Sequence, residues 1–473
     1  MLRRLKIHSI LAVCLLAGTG SVINAQYNLP DLCAQRREAL MKKAGGGVVV
    51  IPGSLRNPYG QNDVSTSKYF YYLTGWEAPG AWVIIEPGAR PKTTLFVTPT
   101  DPSRMTWNNR EAGLGEALTV YGADTSYPVS AFREKAAVIL GRYDTIWTLR
   151  SSKYMYEALS QVIPQGENRV IADARTMLNE LRVVKDSYEI SMLRQAITVT
   201  AEAQRQAMML AAPGRFEYEL EAAIDHTFRS KGCDGPGFST IIGSGANSTI
   251  LHYDENSKQL ESGDVIVMDI GAELNGYKAD ITRTVPVSGK FTKEQLDIYN
   301  LVLRSQKEAI KEMVPGRRTL GAHDRSTAVI MRGLYDLGLV TDTTSKWQED
   351  LYVLYISTHY IGLDIHDLLP YQFTRKDESV FKPGMVITIE PGIYFHEEML
   401  NSLAARFAGT PQAAEVNAFI TQVSPLFEKY KNTGVRIEDD ILITSSGNEV
   451  LSAGAPKEPQ DVEKLMKKKG RYE

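Results

Sequence analysis

Four carboxylates and one imidazole stand where this 473-residue chain otherwise reads as apolar strand: Asp269, Asp280, Glu390, Glu438 and His359. Asp269 lies in VIVMDI, and Asp280 lies on the return of the same hairpin. Glu390 follows the run 386–389 and precedes Pro391-Gly392, while Glu438 sits between Ile437 and the run 441–443. Buried carboxylates repel one another and resist ionisation, so a cation must stand among them or one must hold a proton. Two divalent ions would neutralise all four acids. Hard oxygen donors with a single imidazole favour manganese, with zinc, cobalt or iron as alternatives, because the sequence has no thiolate set that would single out zinc. Such a pair of ions activates water and polarises a carbonyl, which is the chemistry of amide hydrolysis without a covalent intermediate. The competing structural reading pairs Asp280 with Arg283 or Lys278 and leaves Asp269 to cap a turn.

The hairpin turns that idea into geometry. Asn275-Gly276 is the strongest two-residue hairpin signal in the chain. With those two residues as the turn, Leu274 faces Tyr277, Asp280 faces Gly271, and Asp269 lies diagonal to Asp280 on one side of the sheet. Diagonal neighbours are roughly 7 Å apart at the backbone, a separation that suits two carboxylates converging on one centre.

The elements that carry these residues come in two similar halves. A helix opens at Asp186-Ser187-Tyr188-Glu189, an acidic cap with Glu three residues on, and runs to Ala212. Pro213-Gly214 and a second helix from about Phe216 to Gly232 follow. The pattern recurs with a helix over 292–313, Pro315-Gly316, and a helix from Gly321 to Leu337. His252 and the Asp269/Asp280 hairpin follow the first pair, while His359, His366, Glu390 and Glu438 follow the second. Residues 26–175 form a separate mixed α/β module, with a helix over 30–44 stopped by Gly45 and strands at 48–51, 69–73, 81–86 and 93–98. The second module spans 186–473, and the fold class is α+β. The segment 395–431 is long for its junction and is placed to cover part of a cleft.

Composition narrows the setting. The first 25 residues combine Arg3, Arg4 and Lys6 with a short apolar run and Ala25, the pattern of a signal peptide, so an exported protein, periplasmic or secreted, is expected. No later stretch reads as an integral membrane segment. The 53 basic and 56 acidic residues imply no nucleic-acid partner. Cys33 and Cys233 fall in different modules with no framework of spacings, and both are expected to stay free.

DIGAELNGYKADITRT, THYIGLDIHD, GMVITIEPGIY and VRIEDDILIT together resemble the pita-bread metallopeptidases of family M24, specifically the aminopeptidase P and prolidase branch. The resemblance implies an amino-terminal creatinase-like domain followed by a pseudo-twofold pita-bread catalytic domain. It implies Asp269, Asp280, His359, Glu390 and Glu438 as ligands of two metal ions, with Asp280 and Glu438 bridging and Glu390 also shuttling protons. By the same resemblance His252 contacts the substrate near the scissile bond and His366 stabilises the oxyanion, while Tyr394 and Arg436 line a prolyl pocket. Trp107 and Arg110, in TWNNREAG, match a loop that reaches a neighbouring subunit's site, which implies a homo-oligomer, a dimer or tetramer.

There is one departure. Where the family writes His-Gly four residues before the histidine ligand, this chain has Tyr355-Ile356, so Tyr355 alters the pocket for the prolyl residue. The resulting expectation is an Xaa-Pro aminopeptidase acting on peptides with penultimate proline. The alternatives are a prolidase with the same chemistry on dipeptides, and a non-catalytic or metal-free relative.

Overall fold

The computed structural model describes residues 27–53, 64–88, 90, 92–104, 112–150, 157, 159–163, 169–367 and 379–468. The expected signal segment and the stretch carrying Trp107 and Arg110 lie outside them. In the first module, β1 (Val48–Pro52), β2 (Trp82–Glu86), β3 (Lys92–Val97), β4 (Thr125–Pro128), β5 (Thr145–Thr148) and β6 (Val170–Asp173) form a mixed sheet of order β4-β3-β2-β1-β5-β6. Strand β2 runs antiparallel to both β1 and β3, and the other pairings are parallel.

Alternate residues of β1 serve two cores, as the period of a strand requires. Val48 and Val50 pack with Phe96, Phe132 and Ile146. Val49 and Ile51 pack with Leu40, Val83 and Leu95, in a cluster that continues into the second module through Tyr277, Ala279, Ile361 and Leu363. Ion pairs cross the same boundary, from Arg36 to Asp186 at 2.7 Å and from Lys68 to Glu273 at 3.3 Å.

One expected strand is a helix. Residues 69–73 lie inside the helix Val64–Thr74. Phe70, Tyr71, Tyr72 and Leu73 are all buried, and an apolar run covered on every side has no period that separates helix from strand. Gly75 ends the helix at φ 70°, its N–H on the Tyr71 carbonyl at 2.7 Å.

The second module follows the repeat. The helices of the repeat are Ser187–Leu210, Glu217–Ser230, Lys293–Ile310 and Leu320–Asp336. Asp186 caps the first by accepting the Glu189 N–H at 2.9 Å, and Thr292 caps the third by accepting that of Gln295 at 3.2 Å. Its strands are β7 (Gly235–Pro236), β8 (Ile241–Ser244), β9 (Val265–Ile270), β10 (Ala272–Leu274), β11 (Tyr277–Lys278), β12 (Ile281–Pro286), β13 (Val386–Ile389), β14 (Gly392–Tyr394), β15 (Gly434–Arg436), β16 (Asp439–Ile443) and β17 (Asn448–Val450). Each half supplies a three-stranded sheet, β12-β9-β8 and β13-β16-β17, and each sheet centres on an antiparallel pair that carries acids.

Segment 395–431 forms the helices Met399–Phe407 and Ala413–Phe427, which bury Leu403, Phe407, Phe419 and Phe427 against the main core. Trp347 stands between Phe407 and Phe419. Cys33 and Cys233 are both free and buried. Among the described residues, no helix is long and apolar enough to cross a membrane.

Candidate metal centre

Asn275 and Gly276 both have positive φ, 50° and 80°, as the type I′ turn demands, and Leu274 pairs with Tyr277. The same register continues past a bend, pairing Ile270 with Ile281 and Asp269 with Thr282. Gly271 makes the bend, because a Cβ there would collide with the Ala279 carbonyl. Asp269 and Asp280 therefore point to one side, diagonal to each other.

The second half completes the cluster. The Glu390 N–H binds the Ser357 carbonyl at 2.9 Å and the Thr388 N–H binds that of His359 at 2.9 Å, so the His359 segment lies against the strand leading into Glu390. His359 directs Nδ1 at the Tyr360 carbonyl, 3.1 Å away, which places the proton there and leaves the Nε2 lone pair free to act as a ligand. That Nε2 lies 3.4 Å from Asp280 Oδ2, 3.7 Å from Glu390 Oε1 and 3.9 Å from Glu438 Oε1. Ligand atoms of Asp280, His359 and Glu438 all fall within 4.8 Å of one another.

The electrostatics show what the cluster lacks. Asp269 Oδ1 and Glu438 Oε1 are buried without a hydrogen-bond partner among the described residues. Burial, then the charges of Asp269, Asp440 and Glu390, hold the Asp280 carboxyl well above the usual range. Burial and Asp280 do the same to Glu438. Burial lifts Glu390 to about 7, against the opposing pull of His359 and Arg436. Four carboxyls with too little positive charge among them, two with orphaned oxygens, fit a divalent cation set. The structural pairing of Asp280 does not occur: Arg283 binds Asp439, and Lys278 binds Glu273.

The remaining candidates surround this cluster. Arg436 donates from Nη2 to Asp269 Oδ2 at 2.8 Å, from Nε to the Thr282 hydroxyl at 3.2 Å and from Nη1 to the Tyr394 hydroxyl at 2.9 Å. The Thr282 hydroxyl in turn donates a hydrogen bond to Glu438 Oε2 at 2.8 Å. The Tyr355 hydroxyl meets that of Tyr394 at 2.9 Å and donates to the Glu390 carbonyl at 3.0 Å. The His366 ring stands edge-on to His359, 4.4 Å between centroids, and burial together with His359 and His252 lowers it to about 4. His252 is exposed, next to Leu251, whose carbonyl accepts from Arg436 at 3.4 Å.

Two supporting acids escape notice in the sequence. Asp440 accepts the Asp280 N–H at 3.1 Å. Glu217 is fully buried and accepts four bonds from the His252 loop and its flanks: the Ser244 N–H and hydroxyl, the Tyr253 hydroxyl and the Lys258 N–H. Glu217 reads as an ordinary first-turn acid, and its partners lie 27 to 41 residues away.

Residues 191–445 match the model of metallopeptidase family M24, and residues 33–147 match the aminopeptidase P N-terminal domain. The chain is 35% identical over 404 residues to a Xaa-Pro aminopeptidase of Haemophilus influenzae, covering 84% of this chain and 87% of that one. It is 31% identical over 453 residues to a Xaa-Pro aminopeptidase of Escherichia coli, covering 91% and 96%. The solved structure of Pseudomonas aeruginosa aminopeptidase PepP superposes with a TM-score of 0.80 at 31% identity, over 92% of this chain and 98% of that one. The paired half-sheets, the converging acids and the module ahead of them thus have one common source: the chain belongs to metallopeptidase family M24, with an aminopeptidase P N-terminal domain preceding the pita-bread catalytic domain.

Proposed function

We propose that this chain is an exported, dinuclear metallo-aminopeptidase that releases the N-terminal residue from peptides with proline in second position. One observation carries the reading: Asp280, His359 and Glu438 converge in a buried cluster whose oxygens are in part unpartnered. Asp269, Asp280, His359, Glu390 and Glu438 would hold two divalent ions, and their hard-donor character favours Mn2+. Ions bound there would polarise the scissile carbonyl and lower the pKa of a water molecule.

The chain's own residues supply the remainder. Glu390 Oε1 stands 3.7 Å from His359 Nε2, among the other ligand atoms, and a carboxylate placed there can take a proton from the attacking water and return it to the departing amine, help typically worth ~10²–10⁴ in rate. His366, with its pKa near 4, is a neutral imidazole at working pH and can donate one N–H to the carbonyl oxygen as charge develops there. His252 would touch the peptide near the scissile bond. Tyr394, Arg436 and Tyr355 would form the prolyl wall, and Trp107 would reach a neighbouring subunit's site in a homo-oligomer.

The experiment compares Xaa-Pro-Yaa, Xaa-Pro and Xaa-Ala-Yaa on the manganese-loaded protein. Cleavage of the tripeptide with proline is expected. Cleavage of the dipeptide alone would make the enzyme a prolidase, and equal cleavage of the alanine peptide would remove the proline pocket. Export predicts a mature chain beginning at Gln26, readable by intact mass. Sedimentation as a monomer with undiminished activity would remove the oligomer.

A further inference from the structure

We propose that Tyr355 is a positioning residue: its hydroxyl closes a one-way hydrogen-bond relay linking Asp269, in the first half of the catalytic module, to the main chain of Glu390, in the second. Its only proton is committed there and is not available to substrate.

The direction of the relay follows from counting protons. A carbonyl oxygen can only accept, so the 3.0 Å bond to the Glu390 carbonyl uses the single hydroxyl proton of Tyr355. At the 2.9 Å contact between the two tyrosine hydroxyls Tyr394 must then be the donor. Tyr394 in turn accepts from Arg436 Nη1 at 2.9 Å, and the same guanidinium holds Asp269 through Nη2 at 2.8 Å. The chain reads Arg436 to Tyr394 to Tyr355 to the Glu390 carbonyl, each donor polarising the next. Gly392 leaves room for it, because a Cβ at that position would collide with the Tyr394 hydroxyl.

What Tyr355 holds is the frame of Glu390. The Glu390 carbonyl is bound by the Tyr355 side chain and the Glu390 N–H by the Ser357 carbonyl, so both backbone groups of the acid are tied to one three-residue segment. That segment is itself pinned where His323 Nδ1 accepts the Ser357 N–H at 3.2 Å. With its main chain fixed on both sides, the Glu390 carboxylate is aimed at the cluster by few remaining torsions.

The kinetic arm of the test rests on the proposed peptidase activity, and the metal-affinity arm does not. Tyr355→Phe, Tyr394→Phe and the double variant are made in the full chain. Their Mn2+ affinities are measured against a competing chelator, and kcat and KM are measured on an Xaa-Pro-Yaa peptide. Tyr355→Phe is expected to lower kcat and Mn2+ affinity about tenfold, the usual loss on removing an outer partner of a metal ligand, with KM changed less than about twofold. Tyr394→Phe leaves the Glu390 bond in place and is expected to lose only about threefold. Because both substitutions cut one chain, the double variant is expected to be no worse than about twofold below Tyr355→Phe.

Unchanged kcat and Mn2+ affinity in Tyr355→Phe would overturn the relay. So would a rise in KM alone, which would put the Tyr355 hydroxyl, and not just its ring, on the substrate, and so would losses that multiply in the double variant. Should Tyr355→Phe misfold, Tyr394→Phe carries the test, and no change in its kcat or Mn2+ affinity overturns the relay. A parent chain that binds Mn2+ but cleaves no Xaa-Pro peptide would sink the proposed activity, and the affinity arm would still decide the role of Tyr355.

Discussion

Glu438, Asp439 and Asp440 are consecutive and almost wholly buried, yet they meet opposite electrostatic fates. Asp439 faces Arg283 at 2.7 Å, accepts from Ser452 at 2.5 Å and is paired with Lys457, and these partners overcome burial to push its carboxyl down to about 2. Glu438 faces Asp280 and is pushed far up. Asp440, with only the Asp280 N–H on one oxygen and no partner on the other among the described residues, rises to about 8. Burial is common to all three, so the countercharge decides. An acid whose cations come from the chain is structural. A cluster short of positive charge within the chain needs it from outside.

The sharpest way to break this contrast is to remove one acid from each side. Asp280→Asn or Glu438→Gln is expected to lose bound metal and about 10³-fold or more in kcat/KM, the several kcat/KM decades that several kcal/mol of Lewis-acid stabilisation represent. Either variant retaining full metal occupancy contradicts the assignment. Glu390→Gln should drop kcat by at least ~10² while metal remains bound, and turnover preserved under those conditions would move the proton carrier elsewhere.

Asp439→Asn should do the reverse, with the loss appearing in stability. It leaves Arg283, fully buried, without its carboxylate, and breaking such a pair costs about 3–5 kcal/mol in a denaturant titration. A variant of unchanged stability that lost metal would erase the distinction.

The last contrast is a pH dependence whose two arms have different owners. For Asp439, depressed to about 2, the stabilisation is present above the ordinary carboxylate range and lost as pH falls through about 2. For Glu390 and Asp440, raised to about 7 and about 8, the folded chain binds more protons than the unfolded one, so chelated protein should lose stability as pH climbs from about 4.5 to about 8. Metal should flatten that second arm. Thermal melts of chelated and Mn2+-loaded protein at pH 5 and pH 8 check it, and equal metal-induced shifts at both would count against a charge-driven site.

Much of the site was legible because its signals are local. Asn275-Gly276 fixes the hairpin register by backbone conformation alone, and the register sets Asp269 beside Asp280. The Asp186 and Thr292 caps likewise announce their helices within four residues. The supports of the site were not legible, because they span long separations: Asp440 meets Asp280 across 160 positions, and Arg436 meets Asp269 across 167. The aromatic run 69–73 misled for a different reason, since burial on all sides removes the period on which a strand or helix is read. Tyr355 stood out as a departure, but only the neighbouring hydroxyl and carbonyl reveal where its proton goes.

The apolar cluster that runs from Leu40, Val49 and Phe70 to Tyr277, Ile361 and Val386 belongs to neither module alone. A gene fragment encoding only the catalytic half would be born with that surface bare and would be expected to aggregate or fall to proteases. The amino-terminal module is therefore expected to be a folding partner of the catalytic one: substitutions around Phe96 and Phe132 touch only its own core, whereas those on the face shared with the hairpin are felt by both modules.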